Sequence, residues 1–190
     1  MNYRALKIPG VWVFEPTVHP DNRGTFHEVF RRSQISQNLG FEFEVLQVNQ
    51  SESQKGVIRG IHWTEGNPGQ AKYVSCPKGA LWDVVVDLRK ESPTFGTWDA
   101  VLLSAENSRC LLISQGIGHA FLSLQNGTVA KYLCSSEFDP TADRSINPLD
   151  EVLAIDFRTV ADQHNIDEFI ISAKDEQAQS FSSLTVTKLS

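Results

Sequence analysis

Residues 80–88 read ALWDVVVDL, the clearest β-strand pattern in the chain. Successive side chains of a strand point to opposite faces, so every second residue shares a face. One face is purely apolar and the other carries two carboxylates: Trp82, Val84 and Val86 on the first, and Leu81, Asp83, Val85 and Asp87 on the second. One face of this strand is therefore not purely core.

Similar short strand patterns occur on both sides of this stretch. They are KYVSC (72–76), WDAVLLS (98–104), CLLIS (110–114), HAFLSL (119–124) and TVAKYLC (128–134). Short strands separated by turn residues at this spacing are typical of a sandwich or barrel. We predict a mainly β protein, an antiparallel jelly-roll or cupin-type barrel with a few short helices. Residues 1–190 would form one domain with the barrel core at about 45–140, and the wide mouth of such a barrel is a usual ligand site.

Turn and cap signals refine this prediction. The Asn126-Gly127 pair lies between two strand patterns, which favours a type I′ turn and one antiparallel hairpin over 119–134. Helix signals are sparse: residues 33–38 ending at Gly40, one turn at 104–107, and a segment capped by Ser172. The stretch FDPTADRSINPLDE (138–151) is predicted to be a loop that leaves the barrel, followed by a less regular C-terminal third.

Composition excludes several classes of function. The chain has 23 acidic and 17 basic residues, a net charge of -6 and no basic tract, which argues against nucleic-acid binding. No apolar stretch is long enough to span a bilayer or form a signal core, so we expect a cytoplasmic protein that is not bound to a membrane. The three cysteines are far apart and form no CxxC pair, so we expect buried thiols rather than disulfides or a zinc site.

The chemistry-bearing residues begin in RGIHW (59–63), where a histidine follows an arginine between apolar neighbours. A metal cupin would need several histidine and carboxylate ligands, and His62, Glu65 and His119 are a weak candidate set because no second histidine follows His62. Without a metal, His62 supplies a base and Tyr132 a phenol. That set, with the nearby cations, suits proton abstraction next to a carbonyl.

Several motifs together resemble the dTDP-4-dehydrorhamnose 3,5-epimerase family of metal-independent, cupin-type sugar-nucleotide epimerases. They occur in one order over most of residues 10–157. They are DNRGTFHEVF (21–30), LQVNQS (46–51), RGIHWTEGNPGQAKYVSCPKGALWDVVVDLR (59–89), SPTFGTWDAVLLSAEN (92–107), GIGHAFLSL (116–124) and Tyr132. The resemblance implies a dTDP-linked 4-keto-6-deoxy sugar as substrate, no cofactor or metal, and a homodimer.

The resemblance also implies roles for the catalytic residues. His62 would be the general base and Tyr132 the general acid, and Lys72 with His119 would stabilise the oxygen of an enolate. Asp175, in SAKDEQ, matches a family position whose carboxylate pairs with the base histidine. Asp83 is the competing partner of that histidine, or a barrel-face carboxylate bonded to His119.

Six further positions match substrate-binding positions of the family. Arg59 and Arg23 would bind the diphosphate, and Glu28 would belong to a site completed across a dimer interface formed by the N-terminal segment. The other matched positions lie near the nucleotide-sugar: Gln47, Asn49 and Phe138, the last of which stands where many members have tyrosine.

The outcome of the reaction is left open by the sequence. WTEGNPGQA between His62 and Lys72 replaces a proline- and histidine-rich version common in rhamnose-pathway members, and resembles relatives that build sugars of secondary metabolites. A 3,5-epimerase is the main hypothesis, and a 5- or 3-monoepimerase or a ketoisomerase of the same substrate class is the alternative. A non-catalytic sugar-nucleotide-binding barrel is a third hypothesis.

Overall fold

The computed structural model describes residues 2–66 and 69–185, and most of its regular structure is antiparallel strand. The strands are β1 (Asn2–Ala5), β2 (Val11–Glu15), β3 (His19–Asp21), β4 (Gly24–Phe26), β5 (Gln47–Ser53), β6 (Val57–Thr64), β7 (Lys72–Lys78), β8 (Ala80–Asp87), β9 (Trp98–Ser104), β10 (Cys110–Ile113), β11 (Ile117–Ser123), β12 (Thr128–Cys134), β13 (Asp143–Ser145) and β14 (Ile170–Ile171). The helices are α1 (Arg32–Leu39), α2 (Phe157–Gln163), α3 (Ala173–Glu176) and α4 (Ser182–Thr185). None of the described helices is long and apolar enough to cross a membrane.

Two sheets form the body of the protein. The first has the strand order β1-β2-β10-β7-β12-β5, and the second has the order β13-β6-β11-β8-β9 with β14 parallel to β6. The sheets pack face to face through a buried apolar cluster drawn from both: Val11, Val13, Val74, Leu81, Val85, Leu111, Phe121 and Ala130. This double-sheet barrel is the cupin-type architecture that the strand spacing predicts.

The sequence of β8 is almost continuously apolar because both faces of the strand are buried. Leu81 and Val85 belong to the cluster between the sheets, whereas Trp82, Val84 and Val86 pack on the outer side against the C-terminal part of the chain. Both faces are therefore covered, as the pattern ALWDVVVDL requires. Asp83 lies on the inner face, and its side chain is fully buried.

The predicted hairpin over 119–134 is wrong. β11 pairs with β6 and β8 in the second sheet, whereas β12 pairs with β5 and β7 in the first. The turn between them therefore carries the chain from one sheet to the other. Of the pair Asn126-Gly127, only Gly127 has a positive φ, of 69°. The type I′ turn, which needs a positive φ at both residues, therefore does not form. Asn126 instead accepts a hydrogen bond from the backbone of Lys55 at 2.9 Å.

The barrel extends beyond the predicted 45–140 on both sides. β2 is an inner strand of the first sheet with Val11 and Val13 fully buried, and β13 forms a strand inside the predicted loop 138–151. Two strands within the core, β5 and β6, were also not predicted as strands. Neither strand shows a clear alternation of polar and apolar residues, because polar side chains of the site described below face inward.

The helix signals correspond to local structure. α1 ends at Gly40, which has the left-handed φ of 62° that favours glycine after a helix. The chain makes a turn at 105–107, and Ser172 caps α3 by accepting a hydrogen bond from the backbone of Asp175. The helix α2 was not predicted, although Asp156 caps it in the same way.

The C-terminal third covers the outer face of the second sheet. Phe157 packs edge-on against Trp82 with ring centroids 5.3 Å apart, and the guanidinium of Arg158 lies 4.4 Å from the ring centre of Phe169. The short strand β14 then joins β6 in parallel and leads directly into α3. This packing brings Asp175 of α3 to the cavity of the barrel.

Candidate active site

A cavity of about 430 Å³ opens between the two sheets and the segment from β14 to α3. Its lining combines apolar side chains with ionisable and polar groups. The lining residues are Ser51, Val57, Ile58, Arg59, His62, Lys72, His119, Phe121, Tyr132, Ile170, Ile171, Ser172, Lys174 and Asp175. All five predicted catalytic residues are among them.

His62 and Asp175 form a close pair at the cavity wall. Nε2 of His62 lies 2.6 Å from Oδ1 of Asp175, and the backbone N–H of Gly60 donates to the other carboxylate oxygen at 3.3 Å. Burial disfavours the charged carboxylate, but the hydrogen bonds from His62, Gly60 and Ser172 outweigh it and lower the pKa of Asp175. A carboxylate that accepts the Nε2 proton leaves Nδ1 of His62 with the lone pair. Asp175, rather than Asp83, is therefore the partner of His62.

A second histidine–carboxylate pair lies deeper in the barrel. Nε2 of His119 is 2.9 Å from both carboxylate oxygens of Asp83. The two histidines are direct cross-strand neighbours on β11 and β6, so both imidazoles lie in the same region of the second sheet. Burial raises the pKa of Asp83, and its contacts with His119 and Lys72 offset this only in part.

Lys72 reaches the same region from the first sheet. It is a buried lysine on β7, and its ammonium lies 3.5 Å from the backbone oxygen of His62. Burial lowers the pKa of Lys72, and the nearby groups Cys134, Asp143 and Asp83 oppose this shift. A poorly solvated lysine beside a histidine is suited to donating a hydrogen bond to an oxygen that gains negative charge.

Tyr132 stands on β12 in the first sheet, whereas His62 stands on β6 in the second. Its cross-strand neighbour is Asn49, whose side chain interacts with the phenol. Burial raises the pKa of Tyr132, so the phenol keeps its proton at neutral pH and is suited to act as a general acid. The phenol and the imidazole thus enter the cavity from different sheets.

Of the six predicted binding residues, Arg59 lines the cavity, and Gln47, Asn49 and Phe138 form a group that is not part of its lining. Arg59 is held by a hydrogen bond from Nε to the hydroxyl of Ser53 at 3.1 Å. Gln47 donates to the side chain of Asn49 at 2.8 Å and accepts from the backbone N–H of Phe138 at 2.7 Å. The ring of Phe138 is left 60% exposed at the edge of this group.

Arg23 and Glu28 do not line the cavity of their own chain. Arg23 follows β3 in a separate two-stranded hairpin, pairs with Asp21 at 2.6 Å and has a side chain 85% exposed. Glu28 pairs with Arg31 at 2.5 Å. The hairpin also presents Phe26, which is 71% exposed.

The metal-ligand candidates each have a different partner. His62 binds Asp175, His119 binds Asp83, and Glu65 forms an ion pair with Arg144 at 2.8 Å. Within residues 2–66 and 69–185, no group of three histidine, cysteine or carboxylate side chains is arranged to hold a metal ion. Asn67 and Pro68, part of the WTEGNPGQA segment, lie outside the described residues.

Sequence reasoning missed several lining residues. Lys174 lies beside Asp175 and forms an ion pair with Asp143 at 2.8 Å, and Ile170 and Ile171 form an apolar lip. No local pattern indicated these residues, because the C-terminal segment reaches the cavity only through tertiary packing. Ser51 was also missed, although it shares the face of Gln47 and Asn49 by simple alternation.

A cupin-type barrel whose cavity joins a histidine–carboxylate pair, a lysine and a phenol defines an acid–base enzyme. The family model described as dTDP-4-dehydrorhamnose 3,5-epimerase matches residues 5–183. The chain belongs to that family of carbohydrate epimerases.

Individual relatives agree with this assignment. A dTDP-4-dehydrorhamnose 3,5-epimerase of Mycobacterium tuberculosis is 44% identical over 160 residues, which cover 84% of this chain and 79% of the relative. The solved structure of the RmlC epimerase of that organism superposes with a TM-score of 0.93 at 40% identity, covering 98% of this chain and 92% of the other. A 3′-monoepimerase of Streptomyces bikiniensis, solved with dTDP-quinovose, has a TM-score of 0.88 at 43% identity and covers 95% and 88%. Overall identity therefore does not separate a double from a single epimerase.

Proposed function

We propose that the protein epimerises a dTDP-linked 4-keto-6-deoxyhexose in deoxysugar biosynthesis, through an enolate and without a cofactor or metal. The observation that carries the proposal is the arrangement of a carboxylate-held imidazole and a protonated phenol on different sheets around one cavity. An acid and a base on opposite faces of a sugar ring invert the configuration of the carbon between them. A binding protein would need neither group.

The steps follow from the side chains present. Nδ1 of His62 takes the proton from a carbon next to the C4 carbonyl, and the electrons of the broken C–H bond move to the carbonyl oxygen. Lys72 and His119 hold that oxygen while it is negative. The enolate then collapses, its carbon takes a proton from Tyr132 on the other face, and the carbonyl is restored. Asp175 compensates the positive charge that His62 gains.

Exchange with solvent restores the protonation states of His62 and Tyr132 after each inversion. After one inversion His62 carries an additional proton and Tyr132 lacks one, so each group must exchange with water before the next inversion. Every carbon that is inverted therefore acquires a solvent hydrogen. This gives a direct test of how many carbons react.

The test is incubation of the dTDP-4-keto-6-deoxyglucose substrate in deuterated water, followed by NMR of the product. Deuterium at C3 and C5 supports the 3,5-epimerase that we favour, and deuterium at one carbon identifies a monoepimerase. Label at one carbon with a displaced carbonyl indicates a ketoisomerase. Binding of dTDP without any label would contradict the enzymatic proposal. Chelator treatment should leave the rate unchanged.

We further propose that the active form is a homodimer in which the N-terminal hairpin completes the cavity of the partner. Arg23 and Glu28 match substrate-binding positions yet do not line their own cavity, and the hairpin carries an exposed aromatic ring. Exposed apolar side chains also occur at and beside the edge strand β5, at Val45, Leu46 and Val48. Apolar edge surfaces of this kind favour association. A cytoplasmic location fits the three buried free thiols.

Mixed dimers test the shared site. Arg23→Ala and His62→Asn should each inactivate the protein when produced alone. When the two variants are co-expressed, a mixed dimer contains one cavity with an intact His62 that receives an intact Arg23 from the other subunit. Recovery of activity in mixed dimers is expected. No recovery in dimers shown by mass spectrometry to be mixed would contradict the shared site.

A further inference from the structure

The inner face of β5 carries four polar side chains in succession. Alternation places Gln47, Asn49, Ser51 and Ser53 on this face, and their burial alternates with that of the exposed residues between them. Three of the four have side-chain partners: Gln47 bonds Asn49, and Ser53 accepts from Arg59. The fourth is Ser51, which lines the catalytic cavity.

The hydroxyl of Ser51 is buried, and it has no hydrogen-bond partner among the residues that the structure describes. Buried hydroxyl groups in folded proteins are nearly always hydrogen-bonded, because leaving one unpaired costs the free energy of its lost hydration. A ligand can satisfy such a hydroxyl at a cavity wall once rotation about the Cα–Cβ bond turns it towards the cavity. Its neighbours on the strand indicate which part of the ligand that is.

Ser51 lies between the part of the cavity near Tyr132, where the sugar would react, and the part near Arg59. Asn49, two residues before it, is the cross-strand neighbour of Tyr132, and Ser53, two residues after it, holds Arg59. Residues two apart on a strand are separated by about 7 Å, so Ser51 is about that far from each neighbour. In a nucleotide-linked sugar, the group next to the reacting ring on the way to the nucleoside is the phosphate bonded to the sugar.

We propose that the hydroxyl of Ser51 donates a hydrogen bond to an oxygen of the sugar-linked phosphate. The inference rests on the proposed function, which supplies the nucleotide-sugar. A hydroxyl donor suits this position because every oxygen of a phosphodiester group is an acceptor. The contact is made equally before and during proton transfer, so it contributes to substrate binding rather than to the chemical step.

The test compares dTDP with dTMP, because only dTDP carries the second phosphate. Ser51→Ala removes the hydroxyl, and Ser51→Cys nearly preserves its volume but leaves only a weak donor. Ser75→Ala is the matched control, since the hydroxyl of Ser75 bonds the backbone of Lys131 on the outer side of the same sheet. Calorimetry gives the two dissociation constants, and steady-state kinetics gives KM and kcat.

Both Ser51 variants should bind dTDP about ten- to a hundredfold more weakly, the range for a hydrogen bond to a charged group. In these variants KM should rise by a similar factor, and kcat should change by less than about twofold. Their affinity for dTMP should equal that of wild type, and Ser75→Ala should match wild type in all of these measurements. Unchanged dTDP affinity would overturn the inference, and so would an equal loss for dTMP. Circular dichroism checks that both variants fold.

Failure of this inference is distinguishable from failure of the proposed function. If wild type exchanges substrate protons with solvent but the Ser51 variants bind dTDP normally, only the phosphate contact is contradicted. If wild type binds dTDP through Ser51 but exchanges no proton, only the enzymatic proposal is contradicted.

Discussion

The His62–Asp175 pair lies at the wall of the cavity with a third of the imidazole exposed, whereas the His119–Asp83 pair is almost wholly buried. The two pairs use the same side chains at similar distances, and their histidines are cross-strand neighbours. The difference between them lies in what surrounds each carboxylate. Both carboxylates are buried, but Asp175 has three donors in His62, Gly60 and Ser172. Asp83 lies in the closed interior, with His119 and Lys72 beside it.

The carboxylates respond in opposite directions. Hydrogen bonds lower the pKa of Asp175 despite its burial, and burial raises the pKa of Asp83 despite its contacts with His119 and Lys72. A firmly ionised partner can stabilise an imidazole that becomes charged, as a general base does. A carboxyl that resists ionisation serves better to orient a donor. The different environments of the two carboxylates support the proposal that His62 is the base and His119 a donor to the enolate oxygen.

Replacing each histidine separately should give the largest contrast. His62→Asn removes the proposed base and is expected to lower kcat by about 10⁴-fold, with solvent exchange at the substrate carbons lost as well. His119→Asn removes only one donor to the enolate oxygen and is expected to cost about 10²-fold. The measurements are kcat and the rate of deuterium incorporation.

A matched control for this contrast is Tyr132→Phe. It should stop product formation while preserving dTDP binding, and slow label incorporation at the first carbon would show that His62 still acts. Equal losses in the two histidine variants, or a greater loss in His119→Asn, would contradict the division of roles.

Replacing each carboxylate sharpens the comparison at a smaller scale. Asp175→Asn keeps the shape but leaves the charged form of His62 without a counter-charge, and we expect kcat to fall about 10²-fold. Asp83→Asn removes a carboxyl whose charge burial already disfavours, and we expect a loss of about tenfold or less. Parallel kcat measurements at neutral pH decide the order, and a larger loss for Asp83→Asn would contradict it.

The strand patterns predicted the barrel, and the motifs that resemble the epimerase family identified five candidate catalytic residues that the structure places around one cavity. The alternation in ALWDVVVDL defined the two faces of β8, and RGIHW lies on a single strand with its histidine facing the cavity. The change of sheet after Ser123 was not predictable from Asn126-Gly127, since local turn preference says nothing about which strands pair. Lys174 and Ile171 were missed because their segment reaches the cavity through long-range contacts, the parallel pairing of β14 with β6 and the packing of Phe157.

The last contrast concerns Asp83 and Asp87, two fully buried carboxylates on the same inner face of β8. Asp87 receives hydrogen bonds from Arg89, Ser92 and Thr94, with Arg89 donating through two nitrogens at 2.8 Å. Burial opposes ionisation there too, but these donors lower the pKa of Asp87 to about 2, from an ordinary value of 3.8. Asp83 lacks an equivalent set of donors, and its pKa is raised.

The two acids should therefore affect stability with opposite sign. A lowered pKa adds stability that is fully present above pH 3.8 and disappears as the pH falls towards 2. Asp87→Asn should cost about 2 kcal/mol at pH 7, from a shift of nearly two pKa units, and almost nothing at the acid limit. A raised pKa makes the charged form unfavourable as the pH rises, so Asp83→Asn should leave the free energy of unfolding at pH 7 unchanged or slightly higher. Urea unfolding at several pH values measures the free energy of unfolding of both variants. A greater loss of this free energy for Asp83→Asn than for Asp87→Asn at pH 7 would contradict the stabilising effect of the donors around Asp87.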